Sequence, residues 1–415
     1  MFKIESKKIN IIKTITNNLN DYSPQTFPEM YDLVIYYHYL SVFYEEIDNN
    51  LGNLYDTYAK KFLEKILTNV KHYDIPMGSW YGFTGLAYVI REIYGNCALL
   101  NSIEKFIQEQ SLRLIINGKK RDSLFNGQYD VLNGLTGMVA YFMRYRLDQK
   151  DYIIKCLKWM INLFDKEKQI KNSDKLLIKN AYITNPIFKK EYPEGYIDLG
   201  VSHGIIDFLY VFSLAKNKGI ECENLEETYN KILNFYLSIF DKYKDFNWPQ
   251  LIYVNGKKRE YVSKKRFGWC YGKLGVIRTI YCIAKNTHNM QLEKKMISEI
   301  KKININDLDN LGLECPTFCH GYSAVYLIAS MFYNETKDIY FKKLLKKLEE
   351  KIWSMGNKKN KFYFYKYDRD YICKKDIYEY EKINSIDGIF SVLIPYFICK
   401  SNYQDNLYTK SLFLK

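Results

Sequence analysis

Apolar residues recur every three or four positions along most of the chain, the period of helices buried on one face. Leu86, Val89, Ile90 and Ile93 form one such stripe, with Gly95 as its stop. Tyr229, Ile232, Leu233, Tyr236 and Ile239 form another, which Asn224 with Glu227 is expected to open as a capping pair. Phe341, Leu344, Leu345, Leu348 and Ile352 form a third, closed by Gly356. A short signature precedes one class of these runs: a glycine, two residues, a second small residue, then an apolar helix. It reads Gly82-Phe-Thr-Gly85, Gly134-Leu-Thr-Gly137, Gly204-Ile-Ile-Asp207, Gly272-Lys-Leu-Gly275, Gly321-Tyr-Ser-Ala324 and Ser385-Ile-Asp-Gly388.

Each copy implies an outer helix, a glycine-marked turn and an inner helix. Repetition at roughly 50 to 70 residues predicts a closed ring of helical hairpins. The expected fold is therefore all-α: a six-repeat α/α toroid, one catalytic domain over residues 1–415. The longer intervals hold insertions near 170–198 and 245–266. In the second, Leu251–Val254 and Arg259–Val262 flank Asn255-Gly256, a hairpin signature. A small β-containing insertion is expected there.

Composition adds three constraints. Only 8 prolines in 415 residues favour helix. The net charge of +14 suits an acidic partner, but the lysines are dispersed. The densest basic stretches, Lys257 to Arg266 and Lys342 to Lys351, are interrupted by apolar or acidic residues, which argues against nucleic acid. The first ten residues lack the apolar core of a signal peptide, and the longest uncharged apolar runs, Leu33–Tyr44 and Gly388–Cys399, are too short to span a bilayer. A cytoplasmic protein is expected, its nine cysteines reduced.

Chemistry then concentrates at the turns. His203 and His320, two of only five histidines, lie at the turns of repeats three and five; Cys270 and Cys319 lie at those of repeats four and five. In a toroid these turns face one end of the ring. Cys270, Cys319 and His320 would there supply two sulfurs and one nitrogen, a zinc site with one position open. A buried free cysteine is ordinarily a small hydrophobe, and Cys282 reads that way. Cys315 competes as a ligand through its spacing to Cys319, although it stands before Pro316 and outside the repeat frame.

Gly200-Val-Ser-His-Gly204, Trp269-Cys-Tyr-Gly-Lys-Leu-Gly275 and Cys319-His-Gly321, in this order on such repeats, resemble the lanthionine synthetase C-like family, in particular the cyclases of class I lanthipeptide biosynthesis. The chain departs from the family pattern at Leu274 (for Pro), at Asp207 and Ala324 (for Gly) and at Ser202 (for Ala). The resemblance implies an enzyme with one zinc ion per chain, which adds a peptide cysteine thiol across dehydroalanine or dehydrobutyrine to close a thioether ring. It assigns Cys270, Cys319 and His320 to the metal and places His203, Asp130, Arg266 and Tyr271 at catalytic positions. His203 is the best proton donor, since imidazole titrates near working pH. Asp130 would orient His203 or accept the thiol proton; Arg266 would hold an enolate oxygen or serve only as surface charge. Tyr271 is either catalytic or packing, and Trp80 and Trp269 either line a peptide groove or belong to the core. The implied partners are a dehydrated precursor peptide with its leader, a dehydratase and a peptide exporter, which could bring the protein to the inner membrane face. The rival is a zinc- and thiol-binding scaffold of the same shape that forms no rings.

Overall fold

The computed structural model describes residues 5–119, 123–256, 258–364, 366–369, 377–380, 382–401, 403 and 405–415. Lys257, at the head of one basic stretch, lies outside the described residues.

Each of the six glycine-marked turns opens a helix buried over most of its circumference. These are Phe83–Tyr94, Leu135–Tyr145, Ile206–Asn217, Lys273–Asn286, Tyr322–Thr336 and Phe390–Ser401. Gly82, Gly134, Gly272 and Gly321 stand at the N-cap in extended backbone with no capping side chain. A hydroxyl two residues further on ties several of these turns down. Thr84 donates to the Met77 carbonyl at 2.7 Å and Ser323 to that of Pro316 at 2.6 Å. Between the buried helices run helices with one apolar face, as the period predicts. Leu225–Lys242 buries Tyr229, Ile232, Leu233, Tyr236 and Ile239; Ile339–Ser354 buries Phe341, Leu344, Leu345, Leu348 and Ile352.

The chain forms two compact units. The first comprises Met1–Ile75 and Ile303–Asn406. It contains a helix of the buried class that no glycine announces, Phe27–Glu45, opened by a capping box between Thr26 and Glu29 with Pro28 in its first turn. Its aromatic residues pack on Phe390–Ser401. Tyr36 stacks on Phe390 at 4.2 Å, and Phe43 lies 5.0 Å from Phe397. Glu349 sits between Lys8 and Lys400, at 2.7 and 2.8 Å. Strands β4 (Lys366–Arg369) and β5 (Ile377–Tyr380) pair antiparallel, an element the sequence does not announce.

The second unit comprises Pro76–Lys302 and Leu407–Lys415. The small β insertion is here: β1 (Tyr196–Asp198), β2 (Asn247–Asn255) and β3 (Lys258–Lys265) form an antiparallel sheet in that order. Asn255 faces Lys258 across the turn, and Gly256 takes φ +58°, as a tight hairpin requires. The final segment folds back into this unit. Phe413 stacks on Tyr210 at 4.1 Å, and Arg278 Nε donates to the Leu414 carbonyl at 2.7 Å.

One expectation fails. Asn224 does not cap its helix: it lies in the left-handed region at φ +61°, and its side chain makes no capping bond. Capping geometry needs an extended residue that turns its oxygen onto the first N–H groups. The Asn224 Oδ1 instead accepts from Lys166 Nζ at 3.0 Å. Among the described residues, no helix is long and apolar enough to cross a membrane.

Candidate active site and metal centre

β1 delivers the chain to the turn that carries His203. Asp198, its last residue, is fully buried, and the turn runs from there to the helix at Ile206. The turn lies directly on the one that carries Cys270, since Val201 N–H donates to the Cys270 carbonyl at 2.7 Å. Only glycine fits at position 200. A Cβ there would stand 2.6 Å from the Cys270 carbonyl and 2.7 Å from the Tyr271 ring. At Gly275 a Cβ would stand 1.9 Å from the Trp269 carbonyl, so the repeated second glycine is a packing requirement.

His203 Nδ1 meets Asp130 Oδ2 at 2.6 Å. Asp130 is fully buried, while the His203 side chain keeps 30% exposure. The other carboxyl oxygen of Asp130 accepts the N–H groups of Asn133 (2.6 Å) and Gly134 (3.1 Å), which locks the carboxylate to its own turn. A carboxylate facing Nδ1 selects the tautomer with the proton on Nδ1, so Nε2 is the nitrogen presented outward. The backbone of His203 is held as well: its carbonyl accepts from Tyr129 Oη at 2.7 Å and Asn126 Nδ2 at 3.2 Å.

Tyr271 donates its hydroxyl to Asp198 Oδ2 at 3.0 Å, and its ring lies 6.4 Å from that of His203. Gly200 N–H donates to the second Asp198 oxygen at 2.9 Å. Burial raises the Asp198 pKa to about 6 against the charge of His203, which lowers it. Burial, aided by the charge of Asp198, also lifts the Tyr271 phenol well above its ordinary value, so it remains a hydrogen-bond donor. Asp198, Asn126 and Tyr129 were not anticipated from sequence. Their only signal is three-dimensional, because each reaches its partner across more than 70 positions. Arg266 is half-buried just beyond β3, four residues before Cys270.

Cys319 and His320 belong to the first unit and Cys270 to the second. Cys270 is 2% exposed and Cys319 9%, and Cys319 Sγ lies 3.4 Å from His320 Nε2. Tetrahedral zinc with bonds of about 2.3 Å to sulfur and 2.0–2.1 Å to nitrogen needs a sulfur–nitrogen separation of about 3.6 Å. The Cys319–His320 pair therefore fits zinc in chemistry and in spacing. Cys270, as the third ligand the resemblance implies, would leave a fourth position of such a set open. Cys315 is buried outside it, its sulfur 3.0 Å from Thr317 Oγ1. Cys282 is also buried, its Sγ 3.1 Å from the Leu414 carbonyl. Trp80 and Trp269 are at most 2% exposed and belong to the core.

Known proteins resemble this chain in fold and in sequence. The nisin biosynthesis protein NisC of Lactococcus lactis subsp. lactis is 26% identical over 298 residues, 68% of either chain. The solved structure of nisin cyclase matches 99% of this chain and 98% of its own with a TM-score of 0.75 at 19% identity, which makes the fold an α/α toroid. The sequence pattern of the lanthionine synthetase C-like proteins covers residues 40–407, and the chain belongs to that family.

Proposed function

We propose that this protein closes lanthionine and methyllanthionine rings in a dehydrated precursor peptide, with zinc held by Cys270, Cys319 and His320. The observation that carries the reading is the Cys319–His320 pair, sulfur and nitrogen 3.4 Å apart, in a chain of the lanthionine synthetase C-like family. Structural zinc is ordinarily closed by four protein ligands, whereas a site of three admits a substrate thiol. When bound, the ion supplies acidity: a coordinated thiol loses its proton near neutral pH.

The protein's own groups carry the addition and the proton transfer. A peptide thiolate adds to the β-carbon of dehydroalanine or dehydrobutyrine. The new carbon–sulfur bond forms as the carbon–carbon π bond breaks, and its electron pair moves onto the α-carbon and carbonyl. The resulting enolate needs one proton, replacing the one the thiol lost, so the sum is neutral in atoms and electrons. His203 delivers it from Nε2, while Asp130 on Nδ1 fixes the ring and stabilises its charged form. Tyr271, anchored on Asp198, bounds the site beside His203. Arg266 would meet the developing oxyanion charge. The positive net charge favours a peptide with acidic segments. A dehydratase that supplies the substrate and an exporter that removes the product are the expected partners.

The test is a time course of free-thiol loss in a dehydrated precursor peptide, with thioether stereochemistry checked, since cyclisation changes no mass. Ring closure far above the rate without protein supports the reading. Tight peptide and zinc binding with no acceleration makes the protein a scaffold.

A further inference from the structure

In the turns of four other repeats, the third residue after the opening glycine or serine is itself glycine: Gly85, Gly137, Gly275 and Gly388. At three of them a Cβ would collide with the carbonyl six residues earlier, at 2.2 Å from Val131 for Gly137, 1.9 Å from Trp269 for Gly275 and 2.2 Å from Lys382 for Gly388. Repeat three carries Asp207 at this place. Its helix begins later, with Ile205 rather than the glycine at the N-cap. The Asp207 carboxyl runs to the neighbouring repeat, where Oδ2 accepts the Val131 N–H at 2.8 Å. Asp207 is fully buried, and its Oδ1 has no hydrogen-bond partner.

Val131 is the residue after Asp130. Ser79 Oγ donates to the Val131 carbonyl from the first repeat, and Asp207 accepts the Val131 N–H from repeat three. The peptide groups flanking the Asp130 turn are thus gripped from both sides. We propose that Asp207 is a positioning residue that clamps Val131 and so holds the Asp130 carboxylate against His203. Burial first, and then the charges of Asp130 and Asp198, push the Asp207 carboxyl well above its ordinary pKa. His203, the basic group of the cluster, pairs with Asp130 and acts electrostatically on Asp198. The clamp needs an acceptor at this place, and the Asp207 carboxyl supplies one.

The role in catalysis rests on the proposed cyclase reading, but the clamp can be tested without it. Two variants separate the possibilities: Asp207→Asn keeps an acceptor of the same shape, and Asp207→Gly restores the residue used in the other turns. In the full-length zinc-loaded protein, the far-downfield proton resonance of the His203–Asp130 hydrogen bond should persist in D207N and vanish or broaden in D207G. With a dehydrated peptide, D207G should lower kcat about tenfold to a hundredfold at unchanged KM and zinc content. D207N should stay within about threefold of the wild type. A D207G protein with the wild-type resonance and kcat overturns the proposal, and so does a D207N protein as impaired as D207G. If the wild type forms no rings, the cyclase reading fails, and the resonance alone still decides the clamp.

Discussion

His203 Nδ1 and Asp130 Oδ2 stand 2.6 Å apart although 73 positions separate them in the chain, and the aspartate is wholly buried where the histidine is not. That asymmetry defines a division of labour. In the proposed reaction the buried carboxylate would set the tautomer and tilt of the imidazole, and the partly exposed imidazole would exchange protons with the bound peptide. Replacing His203 by Asn should leave zinc content and peptide affinity intact and slow ring closure by about two to four orders of magnitude. Asp130→Asn should slow it comparably while the ring remains in place, because an amide no longer dictates which nitrogen bears the proton. Alkylation of residual thiols over time measures both. Wild-type rates in H203N would assign the proton to another group.

The metal prediction separates ligands from bystanders. Cys270→Ala, Cys319→Ala and His320→Ala should each abolish stoichiometric zinc, and Cys315→Ala should not, since its sulfur faces Thr317. X-ray absorption on the wild type should show two sulfurs and one nitrogen from the protein, with the fourth ligand exchangeable. Chelation should leave helical circular dichroism largely unchanged, because the buried helices owe their packing to apolar side chains.

Much of this was legible in sequence for identifiable reasons. The six turns were readable because they repeat, and Asn255-Gly256 because left-handed backbone has few tenants. Cys270, Cys319 and His320 share matched turn positions, so repetition alone could group them. Asp130 and Tyr271 needed the family resemblance, for nothing local distinguishes them from ordinary polar residues. Phe27–Glu45 escaped the repeat count because Thr26 and Pro28, not glycine, start it. Asp198 and Tyr129 were invisible because their partners lie on other repeats. Asn224 misled because its residue type suits both a cap and the left-handed conformation it adopts.

The raised pKa of Asp198 makes stability depend on pH in a stated direction. Its folded value of about 6 exceeds the ordinary 3.8, so the folded state holds the proton more tightly than the unfolded chain. From this group stability is constant below about 3.8, falls as pH rises to about 6 and is constant again above. The full cost is about 3 kcal/mol. Asp198→Asn keeps an acceptor for Gly200 N–H and removes the titration. The stability of D198N relative to wild type, from urea midpoints, should therefore rise between about pH 4 and pH 7. A difference independent of pH would refute the assignment.

A second stability prediction concerns Glu349, whose side chain is 15% exposed between Lys8 at 12% and Lys400 at 2%. Removing one partner of a buried ion pair leaves an uncompensated charge, at a cost of about 3 kcal/mol. Lys400→Ala should approach that figure. Lys8→Ala should cost less, because Lys8 sits nearer solvent and also pairs with the exposed Glu5. Denaturant unfolding of the two variants orders them; equal losses would show that burial does not set the scale.

The proposed cyclase needs both the three-ligand metal group and the His203–Asp130 pair to accelerate thioether formation. Single-turnover thiol loss in one dehydrated peptide exposes that requirement when run with zinc-loaded protein, with chelated protein and with no protein. Rapid, stereochemically uniform ring closure is expected only with the zinc-loaded protein, the chelated sample falling to the slow uncatalysed rate. Equal rates with loaded and chelated protein would contradict a zinc-dependent cyclase.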